Sequence, residues 1–255
     1  MLNCSLCKSS DVKLYLKLNG RVQIYECNTC TNAFTYPAPK PIEYKEKDFH
    51  QQFGFNTIND LPSQWKKSLL KQLKLIGKYI KPNGNILEIG CGQGLFLSLL
   101  KNEGYSVYGI EPSVKASAIA RNNGLNIKTG YFPDENFENV KFDLIIMAQV
   151  LEHVEQPIEL LKSISDLNKG AQLLLVQTNF KGLVPLKQKK IWYGWVPDQH
   201  FWHFTSKGVR NLMRSLNLKT VEIEYSTLEH NNYWLSKLTS IIPNTGDQLH
   251  AIIKL

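Results

Sequence analysis

The chain has 255 residues, 43% of them hydrophobic and 20% charged, with a formal net charge of +8. That length suits one large domain plus a small module, and the composition excludes a disordered chain. No apolar run reaches the roughly 18 to 20 residues of a membrane span. The chain opens with Cys4 and Cys7 rather than a basic-then-apolar leader, so a cytoplasmic location is expected.

Residues 1–36 are polar and carry two pairs, Cys4-x-x-Cys7 and Cys27-x-x-Cys30, 19 residues apart. This is the spacing of a four-thiolate zinc ribbon, in which two tight knuckles close a tetrahedron around Zn2+. Free thiols and disulfides are the competing readings. A closed four-thiolate site leaves no open coordination position, so the zinc is expected to be structural. It would also stabilise a module too short to hold itself together by burial.

"YPAPKP", Tyr36 to Pro41, reads as an extended linker. Residues 37–62 are expected to be a linker and either a lid or a packed connector; they carry Tyr44, Phe49, Phe53 and Phe55. A helix is predicted over about 64–81, with Trp65, Leu69, Leu73, Ile76 and Ile80 on one side. Lys66, Lys67, Lys71, Lys74, Lys78 and Lys81 line the other. These lysines read as a solvated face or as a nucleic-acid footprint. No arginine cluster or interleaved aromatics accompany them, which argues against a nucleic-acid partner.

From there strand and helix signals alternate. Strands are predicted near 85–90, 106–111, 142–147, 171–178, 221–225 and 249–255. Ser113 and Thr205 suit helix N-caps, and Pro157 suits a first helical turn. This alternation implies an α/β fold with a largely parallel sheet and helices on both faces.

The strand at 85–90 runs into "NILEIGCGQG", a turn with Gly90, Gly92 and Gly94 at alternate positions. Glycines suit a turn where a ligand approaches the backbone closely. A dinucleotide site would read G-x-G-x-x-G, but Leu95 holds the third glycine's place. The Lys-Ser or Lys-Thr of a P-loop is missing. Glu88, just before the turn, would repel a pyrophosphate and attract a cation. Glu111, 21 residues after Gly90, can accept both hydroxyls of a ribose. A nucleoside with a positive, non-phosphate tail fits, and S-adenosyl-L-methionine is such a ligand.

Over about residues 66–255 the sequence resembles the class I S-adenosylmethionine-dependent methyltransferases. "LEIGCGQG" is similar to the first motif of that family, "GIEPS" to its second acidic position, and "FDLIIMAQVLEHVEQP" to its fourth-strand motif. The resemblance implies a Rossmann-like seven-stranded sheet, mostly parallel with the last strand antiparallel. It implies that Glu88 and the glycines contact the methionine part, that Glu111 holds the ribose and that Gln149 faces the cofactor. His153 matches the same motif, as a site residue or as a helix-start packing residue. Tyr131 departs from the acidic residue common in the third-strand region. N-terminal zinc ribbons also occur in the family, among enzymes that modify sugars and similar intermediates.

The segment "WYGWVPDQHFWHFT", 192–205, follows the fifth strand and is expected to wall an acceptor pocket with aromatics. His200 and His203 are its candidate general bases, against a structural role for either. His230 and Tyr233 are further candidates for the pocket. The expected domains are a ribbon at 1–36, a linker at 37–62 and a methyltransferase domain at 63–255. The expected function is methylation, at O or C, of a small biosynthetic intermediate such as a sugar. The alternatives are an RNA or protein methyltransferase docking through the ribbon and the lysine-rich helix, a non-catalytic binding module, and a nicotinamide-dependent oxidoreductase, the last disfavoured by Leu95 and Glu88.

Overall fold

Alternating and continuous apolar runs fold into two separate sheets. The computed structural model describes residues 2–41, 55, 57–228, 242 and 244–255. His230, Tyr233, Tyr44, Phe49 and Phe53 lie outside the described residues. In chain order the described strands are β1 (Val12–Lys17), β2 (Gln23–Cys27), β3 (Ala33–Tyr36), β4 (Asn85–Ile89), β5 (Ser106–Glu111), β6 (Asn126–Thr129), β7 (Leu144–Ala148), β8 (Gln172–Thr178), β9 (Trp202–His203), β10 (Lys219–Ser226) and β11 (Gln248–Lys254). The helices are α1 (Ser63–Tyr79), α2 (Leu95–Asn102), α3 (Val114–Asn122), α4 (Pro157–Leu167), α5 (Leu183–Gln188) and α6 (Ser206–Ser215).

The larger sheet has seven strands in the order β10-β11-β8-β7-β4-β5-β6. β4 pairs in parallel with both β5 and β7, and β5 with β6. β7 and β8 are buried nearly end to end, as parallel strands covered on both faces must be. The chain leaves β4 toward β5 and β6, then returns to place β7 on the other side. Strand order therefore reverses between β4 and β7, where open α/β sheets bind their ligands.

The smaller sheet has the order β1-β2-β3-β9. Its first three strands come from the cysteine-bearing segment. The fourth is Trp202–His203, antiparallel to β3 with Ala33 opposite His203 and Phe34 opposite Trp202. The predicted aromatic segment thus supplies a strand to the N-terminal sheet.

The described residues group into two compact units. The first comprises Met1–Ile42, Gln149–Glu159 and Val176–Ile253; the second comprises Glu43–Ala148, Leu160–Leu175 and Lys254–Leu255. In the first unit, Ile24 and Ala33 of the small sheet share a core with Phe180, Val184, Trp192 and Trp195. The two tryptophans meet edge to face at 5.0 Å, and Tyr15 stands edge-on to Phe180 at 5.3 Å. Trp192 and Trp195, expected in a pocket wall, are members of this core.

In the second unit, α1 buries Ile76, and Ile80 at its end, as predicted, but the rest of its buried stripe is rotated from the predicted face. Its buried residues are Ser68, Gln72, Leu75 and Ile76, with the Gln72 amide donating to Ser68 Oγ at 3.3 Å. Trp65 is exposed and meets the Phe55 ring at 6.4 Å instead. Both predicted caps are present: Ser113 Oγ accepts from Ala116 N, and Thr205 Oγ1 from Gly208 N.

Candidate functional site

The glycine turn joins β4 to α2. Gly90, Gly92 and Gly94 have φ of +74°, +54° and +75°, a region that L side chains enter only with strain. Gly94 has a second constraint. A Cβ there would collide with the Leu125 side chain and stand 3.3 Å from Ala120 Cβ. This glycine is thus explained by packing as well as by ligand approach.

The carboxylate of Glu111, at the end of β5, accepts from Gly92 N and from Ser113 N, both at 2.8 Å. It clamps the turn between two strand ends. Glu88 stands on β4 just before the turn, and it is 5% exposed. Its Oε2 has no hydrogen-bond partner among the described residues. Burial, and then the nearby Glu111 charge, push the Glu88 carboxyl up to about 8. Burial also raises Glu111, opposed by its two backbone donors. A buried acid with a bare oxygen and a like charge beside it suits a cation or hydrogen-bond donor that the described residues do not supply.

Gln149 belongs to the first unit and follows β7 directly. Its backbone is left-handed at φ +57°, and its N–H donates to Val176 O at 3.0 Å. The side-chain Nε2 is buried without a partner among the described residues. Its left-handed backbone and unsatisfied amide keep it a candidate ligand contact.

The two histidine candidates lie in the same unit. His200 is buried, with Nδ1 3.1 Å from Gly194 O. A carbonyl only accepts, so Nδ1 carries the proton and Nε2 the lone pair. His203 is wholly buried, with Nε2 3.0 Å from Thr35 Oγ1. The Thr35 hydroxyl donates to His200 O at 2.7 Å, so it must accept from His203 Nε2–H. Burial lowers His203 to about 3 and His153 to about 4, and holds His200 well below the usual imidazole range. In each case burial favours the neutral ring.

Sequence reasoning does not single out Thr35 or Glu152. Thr35, on β3, ties the N-terminal sheet to both histidines. Glu152, wholly buried in the 3₁₀ turn Leu151–His153, accepts from Phe201 N through its backbone carbonyl at 2.8 Å. Trp202 Nε1 donates to Val154 O at 3.0 Å. These bonds bring His153 beside His200, their rings edge to face at 4.6 Å. The Leu-Glu-His-Val stretch within "FDLIIMAQVLEHVEQP" is the available signal for Glu152.

Cys4, Cys7, Cys27 and Cys30 converge, with every sulfur within 4.8 Å of the others. Cys4 and Cys30 are 3.7 Å apart and Cys7 and Cys27 3.5 Å. A tetrahedron of ~2.3 Å zinc–sulfur bonds has edges of about 3.8 Å. The two knuckles repeat one design. Lys8 N donates to Cys4 O and Thr31 N to Cys27 O, and Lys8 and Thr31 both have positive φ. A hydrogen bond from Cys30 lowers the Cys4 thiol to about 5 and raises Cys30 itself, so the cluster already favours a thiolate.

A family model described as "Methyltransferase domain" matches residues 60–223, more than half of the chain. The chain belongs to this methyltransferase family. Among curated relatives, a ubiquinone biosynthesis O-methyltransferase of Glaesserella parasuis is 34% identical over 125 residues, 43% of this chain and 53% of that protein. The chain thus spans about half the length of this curated relative. Among solved structures, a SAM-dependent methyltransferase from Archaeoglobus fulgidus aligns with a TM-score of 0.58 at 18% identity, over 81% of this chain and 98% of that one. The plantazolicin methyltransferase solved with SAH aligns at 0.57 and 18%, over 83% and 91%. These likenesses share the methyltransferase fold. None of the helices among the described residues is long and apolar enough to cross a membrane.

Proposed function

We propose that the chain is an S-adenosyl-L-methionine-dependent methyltransferase that methylates a hydroxyl oxygen of a small biosynthetic intermediate. The observation that carries this reading is the bare, buried carboxylate of Glu88 beside the left-handed glycine turn. An acid in that position suits the cationic amino-acid end of the cofactor and opposes a pyrophosphate. When bound, the sulfonium supplies a methyl group already activated for in-line displacement.

The chain's own residues bind and orient. Gly90, Gly92 and Gly94 let the backbone come close, Glu111 offers its remaining lone pairs to a ribose, and the Gln149 amide supplies a donor. His200 presents its Nε2 lone pair to take up the acceptor's proton, and His203 is assigned to positioning, since Thr35 holds it. Cys4, Cys7, Cys27 and Cys30 bind a structural zinc, on the support of the tetrahedral spacing of their sulfurs. Residues 1–36 then form the ribbon and 63–255 the methyltransferase domain, in a cytoplasmic enzyme. The name of the O-methyltransferase relative supports oxygen as the acceptor atom.

The test is release of S-adenosylhomocysteine when the full chain is given labelled S-adenosylmethionine and panels of phenols, sugar nucleotides and RNA. Turnover confined to small hydroxylated acceptors supports the reading. Turnover on RNA alone, with loss of binding as salt rises, would replace it by the RNA reading.

A further inference from the structure

Proton uptake by His200 leaves its two neighbours unexplained. The ligand atoms of Glu152, His153 and His200 all lie within 4.8 Å of one another. The His200 ring has a carbonyl partner that fixes its proton, Gly194 O at 3.1 Å from Nδ1. Backbone carbonyls behind imidazoles are the partners that orient metal-bound histidines. The third member is a carboxylate with no exposed surface. Neither of its oxygens reaches a partner in full hydrogen-bond geometry, although the Gln177 amide lies near it. No ion pair among the described residues involves it. A buried carboxyl in that condition either keeps its proton or needs a cation, and a metal ion is the cation that two adjacent imidazoles can share.

We propose that Glu152, His153 and His200 bind a divalent first-row transition-metal ion. Two imidazoles and one carboxylate suit zinc, cobalt, iron or manganese, whereas the thiolate cluster suits softer binding. Bonds of ~2.0–2.2 Å put neighbouring ligand atoms ~3.4 Å apart, so the three side chains need only a small inward movement. Three protein ligands leave a coordination position open, unlike the four cysteines. If the methyltransferase reading holds, on which this step rests, the acceptor hydroxyl oxygen takes that position. His200 then gives its Nε2 lone pair to the metal instead of to the acceptor's proton; that proton leaves to solvent, and the oxygen's bond to the methyl carbon forms as the carbon–sulfur bond breaks.

The experiment titrates the full chain with Co2+ after dialysis against chelator, following bound metal by mass spectrometry and visible absorption. The wild type is expected to take two equivalents, one with thiolate-to-cobalt absorption and one with weak d–d bands only. Glu152→Gln and His200→Gln should each hold one equivalent, and Cys27→Ser should lose only the thiolate bands. Saturation at one equivalent with thiolate bands would overturn the proposal and leave His200 as a simple base; so would two equivalents in both Glu152→Gln and His200→Gln. Should those variants fail to fold, the stoichiometry and spectrum of the wild type decide. Metal content is read without any acceptor, so its failure is distinct from failure to transfer a methyl group.

Discussion

Glu111 Oε2 accepts a 2.8 Å hydrogen bond from the backbone N–H of Gly92, so the acid at the end of β5 holds the glycine turn that follows β4. The same carboxylate takes the Ser113 N–H through Oε1. One residue thereby shapes the turn and presents the group expected to hold a ribose.

Glu111→Ala removes both bonds. Hydrogen bonds to a charged group contribute about 1.5–3 kcal/mol each. Affinity for S-adenosylhomocysteine, measured by isothermal titration calorimetry, is expected to fall roughly tenfold to several hundredfold. Zinc content should not change, because the cysteines are in the other compact unit. Unchanged affinity would remove the ribose assignment.

Glu88 gives the turn a pH dependence. Its folded-state pKa is raised from 4.5 to about 8. A raised acid keeps its proton when folded and loses it when unfolded, so between these values the free protein loses stability as pH rises. Each tenfold difference in acidity between the two states corresponds to about 1.4 kcal/mol. A cationic ligand needs the ionised form, so cofactor affinity should strengthen as pH rises toward about 8 and then level. Glu88→Gln should flatten both profiles, raise the melting temperature of the free protein near that pH and weaken binding. Parallel profiles for wild type and variant would contradict the assignment.

Thr35→Val tests the link between the N-terminal sheet and the histidines. The variant keeps the shape but loses the bonds to His200 O and His203 Nε2. It should cost roughly 1–3 kcal/mol in urea unfolding. Methyl transfer should fall more than cofactor affinity, since Gly92 and Glu111 are untouched. Equal losses in both would mean that Thr35 serves only stability.

Gly94→Ala and Gly104→Ala separate strain from collision. Both glycines have positive φ, but a Cβ at Gly104 meets nothing within 4 Å, whereas one at Gly94 strikes Leu125. Gly104→Ala should cost on the order of 1–2 kcal/mol, and Gly94→Ala distinctly more, with weaker S-adenosylhomocysteine binding. Equal costs would show that the Leu125 side chain yields freely.

The parts of the fold governed by local rules are legible in the sequence. The apolar runs of β4, β7 and β8, the caps at Ser113 and Thr205, and the glycine turn each follow from neighbouring residues. The short polar strand β6, Asn126–Thr129, carries too little apolar signal to stand out. The face of α1 is only partly legible because its buried stripe includes the polar Ser68 and Gln72, joined by a hydrogen bond from the Gln72 amide to Ser68 Oγ. The role of Trp192, Trp195 and Trp202 depends on pairing between β3 and β9, separated by more than 160 residues. No local pattern encodes that contact. Residue type alone favours a pocket wall; packing on Ile24 and Ala33 makes Trp192 and Trp195 core. Likewise the spacing marks His200 and His203 but not Glu152, whose proximity to His200 arises from the Phe201 N–H to Glu152 carbonyl bond.

The most direct test of the central claim is native mass spectrometry of the purified chain with S-adenosylhomocysteine, and with NADH as the control. The predicted result is one S-adenosylhomocysteine per chain, at reduced occupancy in Glu111→Ala, and no NADH adduct. An NADH adduct, or no nucleoside bound by a folded, zinc-loaded chain, would contradict the reading of the Gly90–Gly94 turn as a cofactor site.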